Sequence, residues 1–204
     1  MKRTYEKYDS WKGFQPYFPE EYRINKDNIP DEYYWEWEDY SVHIDRYQAK
    51  GKKKSIRIIL IHGGGGNGRL LSPLGVAFSS KGYECIAPDM PGFGLTEIRK
   101  PNSYYTWIEL LNDLIDDDYK KNSKPIVLCG VSLGGMLSYQ VACRNINVKG
   151  LMVSSLADTR EKKIQIQLAK NKMIGYPSKH FLNAFKSISD QIKIPLKLTT
   201  KMWA

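Results

Sequence analysis

The chain has 204 residues and a net charge of +9, with 42% hydrophobic and 26% charged residues. That is an ordinary globular composition, large enough for one good core, so a single soluble domain is expected. No stretch approaches the roughly 20 apolar residues of a membrane span. The basic start, Met1-Lys2-Arg3, has no apolar segment behind it to make a signal peptide. The 3 cysteines, Cys85, Cys129 and Cys143, show no metal-ligand spacing, and buried thiols are the default for the two on strands. A cytoplasmic protein without a metal or other cofactor is the expectation.

Residues 1–30 are polar and aromatic, and Pro16, Pro19 and Pro30 interrupt any regular element, which predicts an extended arm packed on the domain. Two strands with period-two alternation follow at 33–38 and 42–47, and His43 on the second is expected to be half-exposed. Lys50-Gly51-Lys52-Lys53-Lys54 is a basic turn of the kind that is usually solvated, and it makes no case for nucleic acid. The continuous apolar run Ile58-Ile59-Leu60-Ile61 reads as a central parallel strand, and His62 with the glycine-rich 63–68 forms the loop after it. Glycines leave backbone N–H groups open to a ligand, which is what stabilising a developing oxyanion requires. Beyond a helix at 69–80, the strand at 83–87 ends in the turn Pro88-Asp89-Met90-Pro91-Gly92-Phe93-Gly94. A helix at 104–119, a strand at 125–129, a helix at 136–144 and a strand at 148–155 continue the alternation. Such a pattern argues for a doubly wound, parallel sheet.

Gly130-Val131-Ser132-Leu133-Gly134 stands at a strand exit with a helix directly behind it. The arrangement suits a nucleophile elbow, where serine occupies a strained turn and small residues two before and two after let neighbouring backbones close in. Upstream, in order, come His62-Gly63-Gly64-Gly65-Gly66 and Pro88-Asp89-Met90-Pro91-Gly92-Phe93-Gly94-Leu95-Thr96. On these three motifs, residues 33–158 resemble the α/β-hydrolase family. The resemblance implies an α/β fold with that family's doubly wound, mostly parallel sheet. It also implies a serine hydrolase acting on a carboxylic ester or related acyl bond through a Ser132 acyl-enzyme. Ser132 would be the nucleophile and the backbone N–H groups of Gly64 and Leu133 the oxyanion hole. His62, with Gly63, would support that loop rather than act as base. A small-molecule ester is the implied substrate, with amide, lactone and thioester open.

The resemblance breaks at the base, which in the family follows the last strand. Nothing after Ser132 reads as a strand end carrying Gly-His, and His180 sits in a polar turn before a helix. Asp158 is a candidate acid, although a helix N-cap or turn residue is the commoner reading there. Helices at 161–173 and 178–192 look like a lid at the position where the family often carries its cap. They are strongly basic and could rest on an anionic membrane surface, but a solvated outer face over an apolar pocket is preferred. The expected organisation is an arm at 1–30, a partial hydrolase core at 31–157 and an incomplete lid at 158–204, truncated after the sixth strand. Such a chain should be weak or inactive alone, and a complementary C-terminal fragment or self-association would complete it. Two alternatives stand beside this reading. One is a non-catalytic relic that keeps the pocket. The other, remote, is a dinucleotide-binding domain using Gly63 to Gly68 as G-x-G-x-x-G and Asp89 about 20 residues on.

Overall fold

The computed structural model describes residues 2–98 and 103–156, within the unit Met1–Leu156; the predicted lid, Asp158 and His180 lie outside the described residues. The chain enters the sheet through the antiparallel pair β1 (Asp31–Trp37) and β2 (Tyr40–Tyr47). It continues as β3 (Arg57–Ile61), α1 (Ser72–Ser80), β4 (Glu84–Pro88) and the two-residue β5 (Glu97–Ile98). Then come α2 (Tyr104–Asn122), β6 (Ile126–Val131), α3 (Leu133–Ala142) and β7 (Val148–Ser154). Among the described residues the sheet has seven strands in the order β1-β2-β4-β3-β6-β7, with β5 paired to β2. β4, β3, β6 and β7 are mutually parallel, and β2 meets β4 antiparallel.

β3 sits in the middle because, after Arg57, it is apolar on both faces. Ile58, Ile59, Leu60 and Ile61 are at most 3% exposed, and burying each such side chain contributes about 2 kcal/mol. The period of two divides them between layers. Ile58 and Leu60 pack with Val76 of α1, whereas Ile59 and Ile61 join Ile108, Leu111 and Leu137 from α2 and α3. Helices therefore cover both faces, and the parallel strands all end at one edge, where the glycine loop, the Pro-Gly turn and the serine turn meet. α2 starts on a capping box between Ser103 and Thr106 and stops at Ser123, whose φ of 52° is left-handed.

Two expectations fail at the amino-terminal end. The arm is not extended: Ser10–Tyr17 and Glu20–Tyr22 are 3₁₀ helices, the first with Pro16 inside it. A short i→i+3 helix tolerates a missing donor that a longer α-helix would not. Tyr5 and Trp11 are buried with Leu95 in a cluster of their own. That covered face explains the second failure. β2 is buried at every position but Arg46, and His43 is 0% exposed rather than half-exposed. The helix predicted at 69–80 is also split, with a 3₁₀ turn at Gly68–Leu71 leading into α1 at Ser72, where Pro73 fits the first helical turn.

Candidate active site

Ser132 joins β6 to α3 with φ 54° and ψ −119°. A positive φ in a residue with a side chain costs of order 1–3 kcal/mol and persists only where its surroundings enforce it. Here they do. A Cβ on Gly130 would lie 2.4 Å from the Gly134 carbonyl oxygen, and one on Gly134 would lie 2.3 Å from that of Ile61 and 2.4 Å from that of His62. The glycines two before and two after the serine are thus where backbones touch. The amide of Ser132 donates to Ser154 O at 2.9 Å, fixing the turn to the end of β7. The Ser132 side chain is exposed. Leu133 opens α3, so its N–H has no acceptor within the helix and lies at the positive end of the helix dipole.

The glycine loop after β3 leans on this turn. A Cβ on Gly63 would stand 3.2 Å from Val131 O and 3.3 Å from the Ser132 Cβ, and one on Gly64 would meet the Leu133 side chain at 3.6 Å. The structure thus brings Gly63, Gly64, Ser132 and Leu133 together. His62 clamps the loop. Its Nε2 accepts the Met90 amide at 3.0 Å, so the ring proton is on Nδ1, which donates to Gly63 O at 2.8 Å. Burial pulls the His62 pKa below its ordinary value and keeps the ring neutral. Phe93 stands edge-on to His62 with ring centroids 5.3 Å apart and leads to Trp107 at 5.5 Å. With Met90, Leu133 and Leu137 these rings line a narrow apolar cleft beside the serine.

Sequence reasoning missed what lies beneath the turn after β4. Asp89 is fully buried, and its carboxylate accepts Gly68 N–H at 2.6 Å, Leu95 N–H at 2.8 Å and the Tyr5 hydroxyl at 2.7 Å. His43 lies between two carboxylates, Nδ1 3.1 Å from Asp89 and Nε2 2.9 Å from Glu32. Arg69, 1% exposed, donates to Asp45 at 2.6 and 2.8 Å and reaches Glu32 at 3.2 Å. Glu32, His43 and Asp45 have the spacing of metal ligands, but the guanidinium of Arg69 already supplies their positive charge. The Tyr5 ring caps that guanidinium at 4.7 Å. The available signal was an arm with Tyr5 and Trp11 to bury, opposite a strand carrying His43 and Asp45 on one face.

This network also removes Asp89 from the remote dinucleotide reading. Its carboxylate is closed off and holds Gly68, so neither the acid nor the last glycine of the run faces a ligand. Both described histidines are likewise committed: no hydrogen bond reaches Ser132 Oγ from the described residues, and His43 and His62 hold other partners.

The family model for the alpha/beta hydrolase fold matches residues 56–186. Among solved structures, an alpha-beta serine hydrolase homologue from Coxiella burnetii is 22% identical with a TM-score of 0.53, over 60% of this chain and 61% of that one. A thioesterase domain from the curacin biosynthetic pathway is 22% identical with a TM-score of 0.55, over 70% of this chain and 50% of that one. An N-acyl homoserine lactonase complexed with N-butanoyl homoserine is 21% identical with a TM-score of 0.52, over 62% of this chain and 45% of that one. At such identities the likeness is one of fold, and the chain spans 61% or less of these three structures. No curated protein matches the sequence.

Proposed function

This chain belongs to the alpha/beta hydrolase fold family, and from that premise we propose that Ser132 is the nucleophile of an acyl-transfer site for small-molecule esters or related acyl compounds. The observation that carries the reading is the forced positive φ of Ser132, held by backbone contacts at Gly130 and Gly134 and facing the Gly63-Gly64 loop. A strained serine in contact with a glycine loop is what a nucleophile elbow with an oxyanion hole requires. Ser132 Oγ would add to the acyl carbon, its proton leaving to a base. The carbonyl oxygen would take the charge between the N–H groups of Leu133 and Gly64. Collapse would expel the protonated alcohol and leave an acyl-enzyme for water to cleave. The apolar cleft of Phe93, Trp107 and Leu137 has a volume of only about 10 Å³, so these side chains would have to move apart to admit an acyl portion.

The described residues offer this reaction no histidine base, since His43 is buried between Asp89 and Glu32 and both ring nitrogens of His62 are engaged; Asp158 and His180 lie outside them. Without a base from outside the described residues, turnover is expected to be slow, by on the order of 10⁴-fold or more relative to a complete triad. The same observation favours a second reading, a relic that keeps the cleft and binds ligand without turnover. Labelling with an activated phosphonate, mapped by mass spectrometry, separates them. The hydrolase reading expects adduct on Ser132 well before Ser154 or Ser155, and none at that position in Ser132→Ala. Equal, slow labelling of all exposed serines would leave the relic. Ester turnover within the usual enzyme range of about 1–10³ per second would mean that a base is present after all, and His180 would be the first residue to substitute.

A further inference from the structure

The edge of the sheet opposite Ser132 collects basic residues that are far apart in sequence. Parallel strands all begin there, and β2 ends there, since Tyr47 pairs with Cys85 at the start of β4. The turn carrying Lys52, Lys53 and Lys54 is bound to the α1–β4 connection, with Lys50 N donating to Ser79 O at 2.9 Å and Lys54 N to Gly82 O at 2.8 Å. That brings Lys81 beside it. α2 contributes Lys120 in its last turn, and the α3–β7 connection contributes Arg144 and, just inside β7, Lys149. Each of these seven side chains is exposed and has no carboxylate partner among the described residues. Three acidic groups of this edge are paired with cations, whereas Asp27, Asp31 and Asp116 keep their charge, Asp31 accepting from the neutral amide of Gln48. Glu84 is held by Arg46, Arg57 and Lys124, Asp118 by Arg57, Asp117 by Lys121, and Asp116 accepts from Asn145 and Asn147.

The ordinary explanation is that cations gather at helix C-termini. Three helices do end here, but each terminus carries only about half a negative charge. Seven unpaired cations exceed those helix ends and the carboxylates of Asp27, Asp31 and Asp116 taken together, and the lysines of the 52–54 turn belong to no helix. From β2 across β4, β3 and β6 to β7 the array spans about 20 Å, so neighbouring charges fall within or near a Debye length of about 8–10 Å and act together. Ile146 stands among them at the tip of the α3–β7 connection, 81% exposed. Its loop is rigidly held, Asn145 donating to Asp116 at 3.0 Å.

We propose that this face docks on an anionic lipid bilayer, with the Ser132 edge turned to the aqueous side. The chemistry distinguishes that partner from nucleic acid. Point-charge lysines suit a diffuse negative surface, whereas forked phosphate recognition favours arginine, of which the unpaired array holds Arg144 alone. Strand binding also calls for rows of stacking aromatics, while an exposed isoleucine at the tip suits the headgroup boundary. The inference does not depend on the reactivity of Ser132.

Co-sedimentation of the full chain with phosphatidylcholine vesicles, with and without about 30% phosphatidylserine, tests it. Binding is expected to the anionic vesicles only and to weaken as salt rises. Each lysine near such a surface is worth about fivefold in partitioning. The combined variant Lys52→Gln, Lys53→Gln, Lys54→Gln, Lys81→Gln and Lys149→Gln should therefore lose more than a hundredfold, and Ile146→Ser should lose a smaller factor. A control variant with Lys162, Lys163, Lys170 and Lys172 changed to Gln separates the second basic segment. Retained binding in the first variant together with loss in the control would overturn the proposal, as would equal binding to neutral vesicles or none to any. Tighter retention on duplex DNA than on vesicles would replace the bilayer with nucleic acid. A thermal melt of each variant shows that lost binding is not lost folding.

Discussion

Replacing His43 by glutamine tests the buried network most directly, because the ring is the positive charge between Asp89 and Glu32. Nε2 is hydrogen-bonded to Glu32 at 2.9 Å and Nδ1 lies 3.1 Å from an Asp89 oxygen, so the two flanking carboxylates favour the imidazolium form. Burial works against that charge, but the hydrogen bonds to Asp89 and Glu32 outweigh it and raise the pKa from 6.5 to about 9. A shift of this size corresponds to roughly 3 kcal/mol of folding stability. Its sign follows from the direction. A raised pKa contributes fully below the unfolded value of 6.5 and is lost as pH climbs through about 9. Asp45 in the same cluster, raised by burial to about 6 against the pull of Arg69, titrates below that window. His43→Gln should therefore cost roughly 3 kcal/mol near pH 6, and the gap between wild type and variant should close toward about pH 9.5. Urea melts followed by tryptophan fluorescence across that range give both numbers. A cost under about 1 kcal/mol, or a gap that stays constant with pH, would mean that the ring is neutral and the network is not ionic.

Other expectations follow from single contacts. Gly134→Ala places a methyl group 2.3 Å from a backbone oxygen of β3. It should destabilise by about 1–3 kcal/mol and slow Ser132 labelling about a hundredfold. Gly13→Ala, with nothing within 4 Å, is the matched control and should stay within about 0.5 kcal/mol of wild type in a urea melt. Cys143 is exposed and should react with a thiol reagent in the native protein. Cys85, pushed up to about 12 by burial, and Cys129, also raised by burial, should react only on unfolding.

What was legible in the sequence was whatever depends on local pattern. The apolar run of β3, the helix behind Ser132 and the glycines around both are short-range signals, and the structure has those elements within a few residues of where the pattern puts them. Even the boundary error at α3 is local: the helix begins at Leu133 rather than Met136 although Gly134 and Gly135 are poor helix formers in isolation, because Gly134 lies against β3 and Gly135 against β6 and β7. The state of His43 was not legible. Its strand alternates like a half-exposed one, and only the arm from some thirty residues upstream turns the second face into an interior. By local rules the prolines in that arm break regular structure, yet Pro16 lies within a 3₁₀ helix whose Trp11 is buried. The basic face was invisible for a related reason: four connections contribute to it, and one of them, the 52–54 turn, alone looks like ordinary solvated surface.

The network and the serine edge are joined through adjacent residues of one turn. Asp89 turns its side chain inward to hold Gly68 and Leu95, one on each of the loops that flank it, while the amide of Met90 holds His62. His62 in turn fixes Gly63, the residue whose Cα faces Ser132. The chain of contacts from Tyr5 to the glycine loop therefore passes only through hydrogen bonds of 3.0 Å or less and one peptide link. The Tyr5–Asp89 and Met90–His62 steps are buried, so breaking either leaves an unpaired polar group that costs about 1–3 kcal/mol rather than being replaced by water. An arm that carries none of the proposed reacting groups thus helps to hold the loop in which Gly64 is placed. That is the physical reason for so many ionisable groups beneath an otherwise apolar sheet: they link segments that no local motif relates.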